Sequence, residues 1–127
     1  MSEKYLPDVL EIKYKDSEGL QKSIKQINNQ ILINNPNPEL IEINKIDKEK
    51  WLEFWDSIES LSVWNLEEEY RGCSLEGGFV WSIHISLDNR EINSYGANVE
   101  PKTVHGNQVL SVLDELFKSV EILIEYD

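Results

Sequence analysis

The residue types that nucleophilic catalysis needs are present: Cys73 as a thiol, His84 as a base, and Asp88 or Asn98 to orient it. Their spacing forms no motif, and a chain of this size ordinarily holds such a set. His84 stands between Ser82 and Ser86 in an alternating run, opposite in parity to Phe79, Trp81, Ile83, Ile85 and Leu87. That parity predicts a hydrogen-bonded histidine on a solvent-facing strand surface. His84 and His105 with a single cysteine cannot build a histidine-rich or thiolate zinc site. The "EGG" at residues 76–78 lacks the glycine spacing and following lysine that cradle phosphates, and reads as a turn. The expectation is a protein that is not an enzyme and holds neither cofactor nor metal.

Two other features carry more. In "LEEEY" the consecutive carboxylates Glu67, Glu68 and Glu69 lie near Trp64 and Tyr70, with Glu76 a few residues on. Carboxylates beside aromatics are the composition of an interface for a basic protein, because charge steers the encounter and the rings supply most of the affinity. The second feature is "INSYGANVEP" at residues 92–101. Ile92, Ser94 and Gly96 shrink along one face while Asn93 and Tyr95 point the other way. Such a face lets other groups approach closely at Gly96, so a pocket there would involve His84, Tyr95, Gly96 and Asn98. Pro101 stops the ladder, and the run is expected first of all to leave the sheet and lead into a helix.

Charge narrows the partners. The 127 residues hold 12 Lys+Arg against 24 Asp+Glu, a formal net charge of -12, with the surplus of acid heavier in the second half. That field repels nucleic acid and anionic membrane and attracts basic partners. With Cys73 alone no intrachain disulfide forms, the first residues show no apolar leader, and no apolar run is long enough to span a bilayer. A cytoplasmic protein is expected.

The elements that must position these residues follow from period. Leu10, Ile12 and Tyr14 alternate with Glu11, Lys13 and Lys15, the signature of a half-buried strand. Residues 20–35 fit either a helix, through Leu20, Ile24, Ile27 and Ile31, or two strands joined near Asn28 and Asn29; the strands are preferred. Pro36 and Pro38 mark a loop before the alternating "LIEINKI". In "DKEKWLEFWDSIESL" the period changes: Trp51, Phe54, Trp55, Ile58 and Leu61 recur at helical spacing behind Asp47 as N-cap. Residues 79–87 form the clearest strand, and "DNR" turns it back so that Ile92 shares a face with Ile85 and Leu87 under either two-residue loop. A second helix is predicted over "NQVLSVLDELFKSV", with Val109, Val112, Leu113, Leu116, Phe117 and Val120 on its stripe, and "VEILIEY" suggests a terminal strand. The fold class is a single α+β domain over residues 1–127: an antiparallel meander of about five to seven strands against two amphipathic helices.

The order of Val63, Trp64, Tyr70, Gly78, Trp81, Ser94, Gly96, Asn98 and Pro101 resembles a family of small uncharacterised bacterial proteins with a tryptophan-bearing strand and an "SxGxN..P" loop. The resemblance covers roughly residues 47 to 118. It departs where Glu76 with its glycines replaces an "Asp-Gly" pair, and where Val99-Glu100 replaces an aromatic. It implies an α+β fold and carries no established catalytic residues. In size and charge, though not by motif, the chain also resembles immunity proteins that neutralise toxins. The functional expectation is an immunity or antitoxin-like protein binding a basic toxin domain, such as a nuclease, through Glu67, Glu68, Glu69, Glu76, Trp64 and Tyr70. The alternative is a small-molecule-binding protein or enzyme using the pocket beside Gly96.

Overall fold

The computed structural model describes residues 4–34, 37–72 and 78–124. Cys73 and Glu76, and with them the thiol and one carboxylate of the sequence reading, lie outside those residues. Strands β1 (Val9–Asp16), β2 (Gln21–Ile27), β3 (Gln30–Asn34) and β4 (Pro38–Glu42) form the expected N-terminal meander. The β2–β3 loop is Asn28-Asn29, with Asn28 at φ 54, a left-handed conformation that asparagine tolerates. After helix α1 (Lys48–Ser60) come β5 (Glu69–Arg71), β6 (Phe79–Leu87) and β7 (Arg90–Ala97). The seven-stranded sheet runs β4-β3-β2-β1-β6-β7-β5, antiparallel throughout except for β5, which lies parallel to β7. The β6–β7 loop is Asp88-Asn89, and Ile92 faces Ile85.

Register explains which face is buried. Ile33, Ile24, Ile12, Ile83 and Ser94 stand side by side across β3, β2, β1, β6 and β7, and all are buried. Ser94 ends that row with a hydroxyl donating to the Glu67 carbonyl, so the polar group is satisfied where the hydrophobic row stops. Trp51, Phe54 and Ile58 of α1 join these side chains in one core. Trp55, half-buried, stacks between Trp51 and Trp64 at ring separations of 6.0 and 6.4 Å and donates its indole N–H to the Tyr5 carbonyl. The aromatic stripe of α1 is therefore core. Asp47 holds the N-cap place without a side-chain cap bond. The helix ends through Ser62, at φ 58.

The C-terminal third differs from expectation. A two-stranded hairpin, β8 (Lys102–His105) with β9 (Gln108–Ser111), precedes helix α2 (Val112–Ile124). Val109 thus belongs to a strand, exposed opposite Val104, and not to the helical stripe. The overlooked signal is Gly106-Asn107, a two-residue loop whose glycine takes φ 61. The run 92–101 leads into this hairpin before the helix, and the Pro101 carbonyl accepts the Val112 N–H. The expected terminal strand is helix as far as Ile124, because Val120 and Leu123 continue the buried spacing of Leu113, Leu116 and Phe117; its last residues lie outside the described range. Among the described residues, no helix is long and apolar enough to cross a membrane.

Ser62 holds a left-handed backbone and makes no side-chain cap bond. Ser62→Gly is expected to raise stability by about 0.5–1 kcal/mol, since glycine adopts that conformation without the Cβ penalty. Urea denaturation monitored by circular dichroism measures the shift.

Candidate functional site

β5 is three residues long, and its parallel register sets Glu69 beside Tyr95, Tyr70 beside Gly96 and Arg71 beside Ala97. Alternation then sends Tyr70, Gly96 and Trp81 inward, and Glu69, Arg71, Tyr95, Ala97 and Val80 to the uncovered face of the sheet. Inward, the Trp81 indole lies across Gly96. A Cβ on Gly96 would stand 2.7 Å from three indole atoms. Tyr70 packs against the same indole at 5.5 Å, and Trp81 donates its N–H to the Val99 carbonyl at 2.7 Å. The notch read from the sequence exists, and a tryptophan of the neighbouring strand fills it.

Outward, the Glu69 carboxylate receives Arg71 through Nε at 2.8 Å and Nη2 at 3.2 Å, and the Tyr95 hydroxyl at 3.1 Å. Hydrogen bonding from Arg71 first, then from Tyr95, holds the Glu69 carboxyl below its usual pKa. The same carboxylate raises the Tyr95 phenol above its ordinary value. These groups border an open groove of about 490 Å³ beside Gly96, where the sequence reading set its alternative pocket, lined by Glu69, Arg71, Gly72, Val80, Tyr95 and Ala97 together with Tyr70, Trp81 and Gly96. Tyr95 is 44% exposed and Val80 52%.

The remaining carboxylates are presented by a pinned backbone. The Glu67 N–H donates to the Tyr70 hydroxyl, the Glu67 carbonyl accepts Ser94, and the Glu68 carbonyl accepts the Tyr95 N–H. The side chains of Glu67 and Glu68 are exposed.

The two residue sets from the sequence are thereby regrouped. Tyr70 faces the core. Trp64 is half-buried on Trp55 with the Arg90 guanidinium 4.5 Å above its ring, and Arg90 also reaches Glu59 at 2.9 Å. Neither ring projects as an anchor. Tyr95, assigned to the alternative pocket, is the aromatic that stands among the carboxylates. His84 lies farther along the sheet opposite Asn93, its Nε2 2.9 Å from Glu91, and does not line the groove. Asn98, at φ 63, closes the β6–β7 ladder: its side-chain oxygen accepts the Phe79 N–H and its own N–H donates to the Phe79 carbonyl. Among the described residues, no group of three or more His, Cys, Asp or Glu is placed to hold a metal ion. Sequence reasoning missed Arg71 and Val80, whose roles depend on the β5–β7 pairing. It also passed over Glu49, Glu53, Asp56 and Glu59, all exposed on α1 at intervals that share one side of a helix.

No protein-family model matches this chain, and no curated protein or solved structure matches it. The resemblance to small bacterial proteins therefore rests on its own residues, and their places here are architectural. Tyr70, Trp81 and Gly96 form the stack, Ser94 fastens residue 67, Asn98 ends the ladder, and Pro101 is buried where its carbonyl meets α2.

Two outcomes follow. Gly96→Ala is expected to cost about 1–3 kcal/mol through overpacking against an indole held on two sides, measured by urea denaturation. For Tyr95 the sign is that of a raised phenol: the bond to Glu69 favours the folded state below the ordinary tyrosine pKa, and this is lost as pH rises through the folded value. Glu69 adds the opposite limb, its contribution being lost as pH falls through its depressed pKa. Ultraviolet titration, with a Tyr95→Phe chain subtracted, should show Tyr95 ionising later than free tyrosine and returning toward the ordinary range in Glu69→Ala.

Proposed function

We propose that this chain is a cytoplasmic immunity or antitoxin-like protein that binds a basic toxin domain through the β5 end of its sheet. The observation that carries the reading is an exposed Tyr95 flanked by carboxylates whose backbone is already fixed by hydrogen bonds. A fixed backbone loses little conformational entropy on association, and a tyrosine offers a large contact area with few rotatable bonds. Arg71 offsets part of the Glu69 charge, which leaves Glu68 as a further carboxylate acting on the ring and Glu67 exposed next to it in the chain. A basic surface is steered to such a site, and its lysines or arginines exchange water for these carboxylates at the rim while an apolar group enters the groove over Val80 and Ala97. For a nuclease toxin, covering the basic cleft that holds nucleic acid is sufficient for inhibition.

A second reading rests on the groove itself. Its volume is that of a small-ligand site, and Glu69, Arg71 and the Tyr95 hydroxyl converge on its rim. A small molecule there would depend on Arg71 and Tyr95 more than on Glu67 and Glu68.

The chain, immobilised, is used to retain its partner from the source cell, and the retained protein is then titrated against variants. Glu67→Lys combined with Glu68→Lys should weaken binding by about tenfold or more at low ionic strength and progressively less as salt rises. Tyr95→Ala should cost about 2 kcal/mol, the loss of an interface anchor. A partner bound equally well by both variants removes this surface from the interaction. Sensitivity to Arg71→Ala alone favours the small ligand.

A further inference from the structure

The two ends of the sheet are unlike. At one end residues 62–72 cover β7. At the other, among the described residues, β4 pairs with β3 alone and no strand lies on its far side. The direction of its main-chain groups follows from the bond between the Ile43 N–H and the Asn29 carbonyl, which continues the β3–β4 register. Alternation in an antiparallel ladder then turns Glu39 and Ile41 toward β3, and Pro38, Leu40 and Glu42 outward. Proline supplies no donor, and the Glu42 carbonyl already opens the 3-10 turn Ile43–Lys45. The outward groups that remain are the N–H and C=O of Leu40, the N–H of Glu42 and the C=O of Pro38.

This set is its own complement. An antiparallel copy of β4 related by a two-fold axis at Leu40 pairs Leu40 with Leu40 through both their groups, and each Glu42 N–H with the Pro38 carbonyl of the second copy. The missing donor of Pro38 falls opposite the occupied carbonyl of Glu42, so no outward group is left unmatched. We infer that two copies of this chain associate edge to edge through β4, joining their sheets into one.

Side chains fit the same register. Leu40, 58% exposed beside Leu32 on the uncovered sheet face, would meet its own counterpart. On the other face, Glu39 of the second copy arrives opposite Ile41, whose surroundings form a groove of about 370 Å³ bordered by Glu42, Lys45, Ile46, Asp47, Lys50 and Leu123. Pairing thus covers Ile41 at the edge of a groove in which acidic and basic side chains balance. No like charges face each other along the pairing: Glu39 stands opposite Ile41 and Glu42 opposite Pro38. The symmetry also closes the assembly at two copies, because it consumes the open edge of each.

The association is independent of the acidic surface and opposite to it in salt dependence. Two molecules of net charge -12 repel at long range, so added salt strengthens their pairing. Sedimentation equilibrium of the full chain up to millimolar concentration should show a monomer–dimer equilibrium that shifts toward dimer with sodium chloride. Leu40→Pro removes the central bonds without touching the β3 ladder, and should weaken the dimer about tenfold or more. Leu40→Lys, which leaves the backbone unchanged and sets two ammonium groups against each other at the axis, should do the same and decides the matter if the proline variant fails to fold. Glu67→Lys with Glu68→Lys leaves this edge intact and should retain the dimer. A chain that stays monomeric at high salt, or a dimer that both Leu40 variants leave unchanged, overturns the inference.

Discussion

The contact between the Trp81 indole and Gly96 decides how this sheet ends. Cross-strand neighbours ordinarily both contribute side chains to the same face. Here one contributes none, so the other can lie flat across the next strand and reach Tyr70 on β5. A three-residue parallel strand has little hydrogen bonding of its own to hold it. What fixes it is the indole beneath Tyr70 together with Ser94 and the Tyr70 hydroxyl, which tie residue 67 from two sides. The outward display of Glu69, Arg71 and Tyr95 is thus a consequence of inward packing. Parity links the two faces: with Tyr70 committed to the core, its neighbours on β5 have only the uncovered face left.

Charge placement complements that geometry. On the uncovered face, opposite charges are adjacent where Lys13 meets Glu11 and Arg71 meets Glu69, and the His84 ring hydrogen-bonds Glu91. Exposed pairs of this kind add little to stability. Other exposed carboxylates stand on the solvent side of α1, at Glu49, Glu53 and Asp56, at Glu67 and Glu68, and also at Glu18, Asp88, Asp114 and Glu121.

Much of the fold was legible because it is written in local period. Alternation at Leu10, Ile12 and Tyr14, and again through residues 79–87, reports one buried face, and the asparagines at 28 and 29 separate two strands where helical spacing also fitted. What failed did so where two periods coexist. Val109, Val112, Leu113 and Leu116 satisfy a helical stripe, yet Val109 is taken by Val104 across a glycine-bearing loop. Residues 120–124 satisfy alternation, yet Leu123 follows Leu116 and Val120 onto the core. At the site, the carboxylates could be named from composition, but the aromatic among them could not. Parity with Ile92, Ser94 and Gly96 already turns Tyr95 outward, but only the register of β5 on β7, a pairing between residues 26 apart, turns Tyr70 inward and brings Glu69 to Tyr95.

The order of strands also relates the two surfaces. β5 and β4 are opposite margins of one sheet, with five strands between them. Joining two chains at β4 therefore leaves both β5 margins at the far ends of the continuous sheet, where neither hinders the other. A partner bound at one end is not excluded from the second, and a multivalent partner of suitable span would gain from effective concentration and not from new contacts. The fold needs no additional element for this. One edge is shielded because a short strand must be held down to present its side chains, and the other remains usable because its proline and its 3-10 turn remove donor and acceptor at matching places.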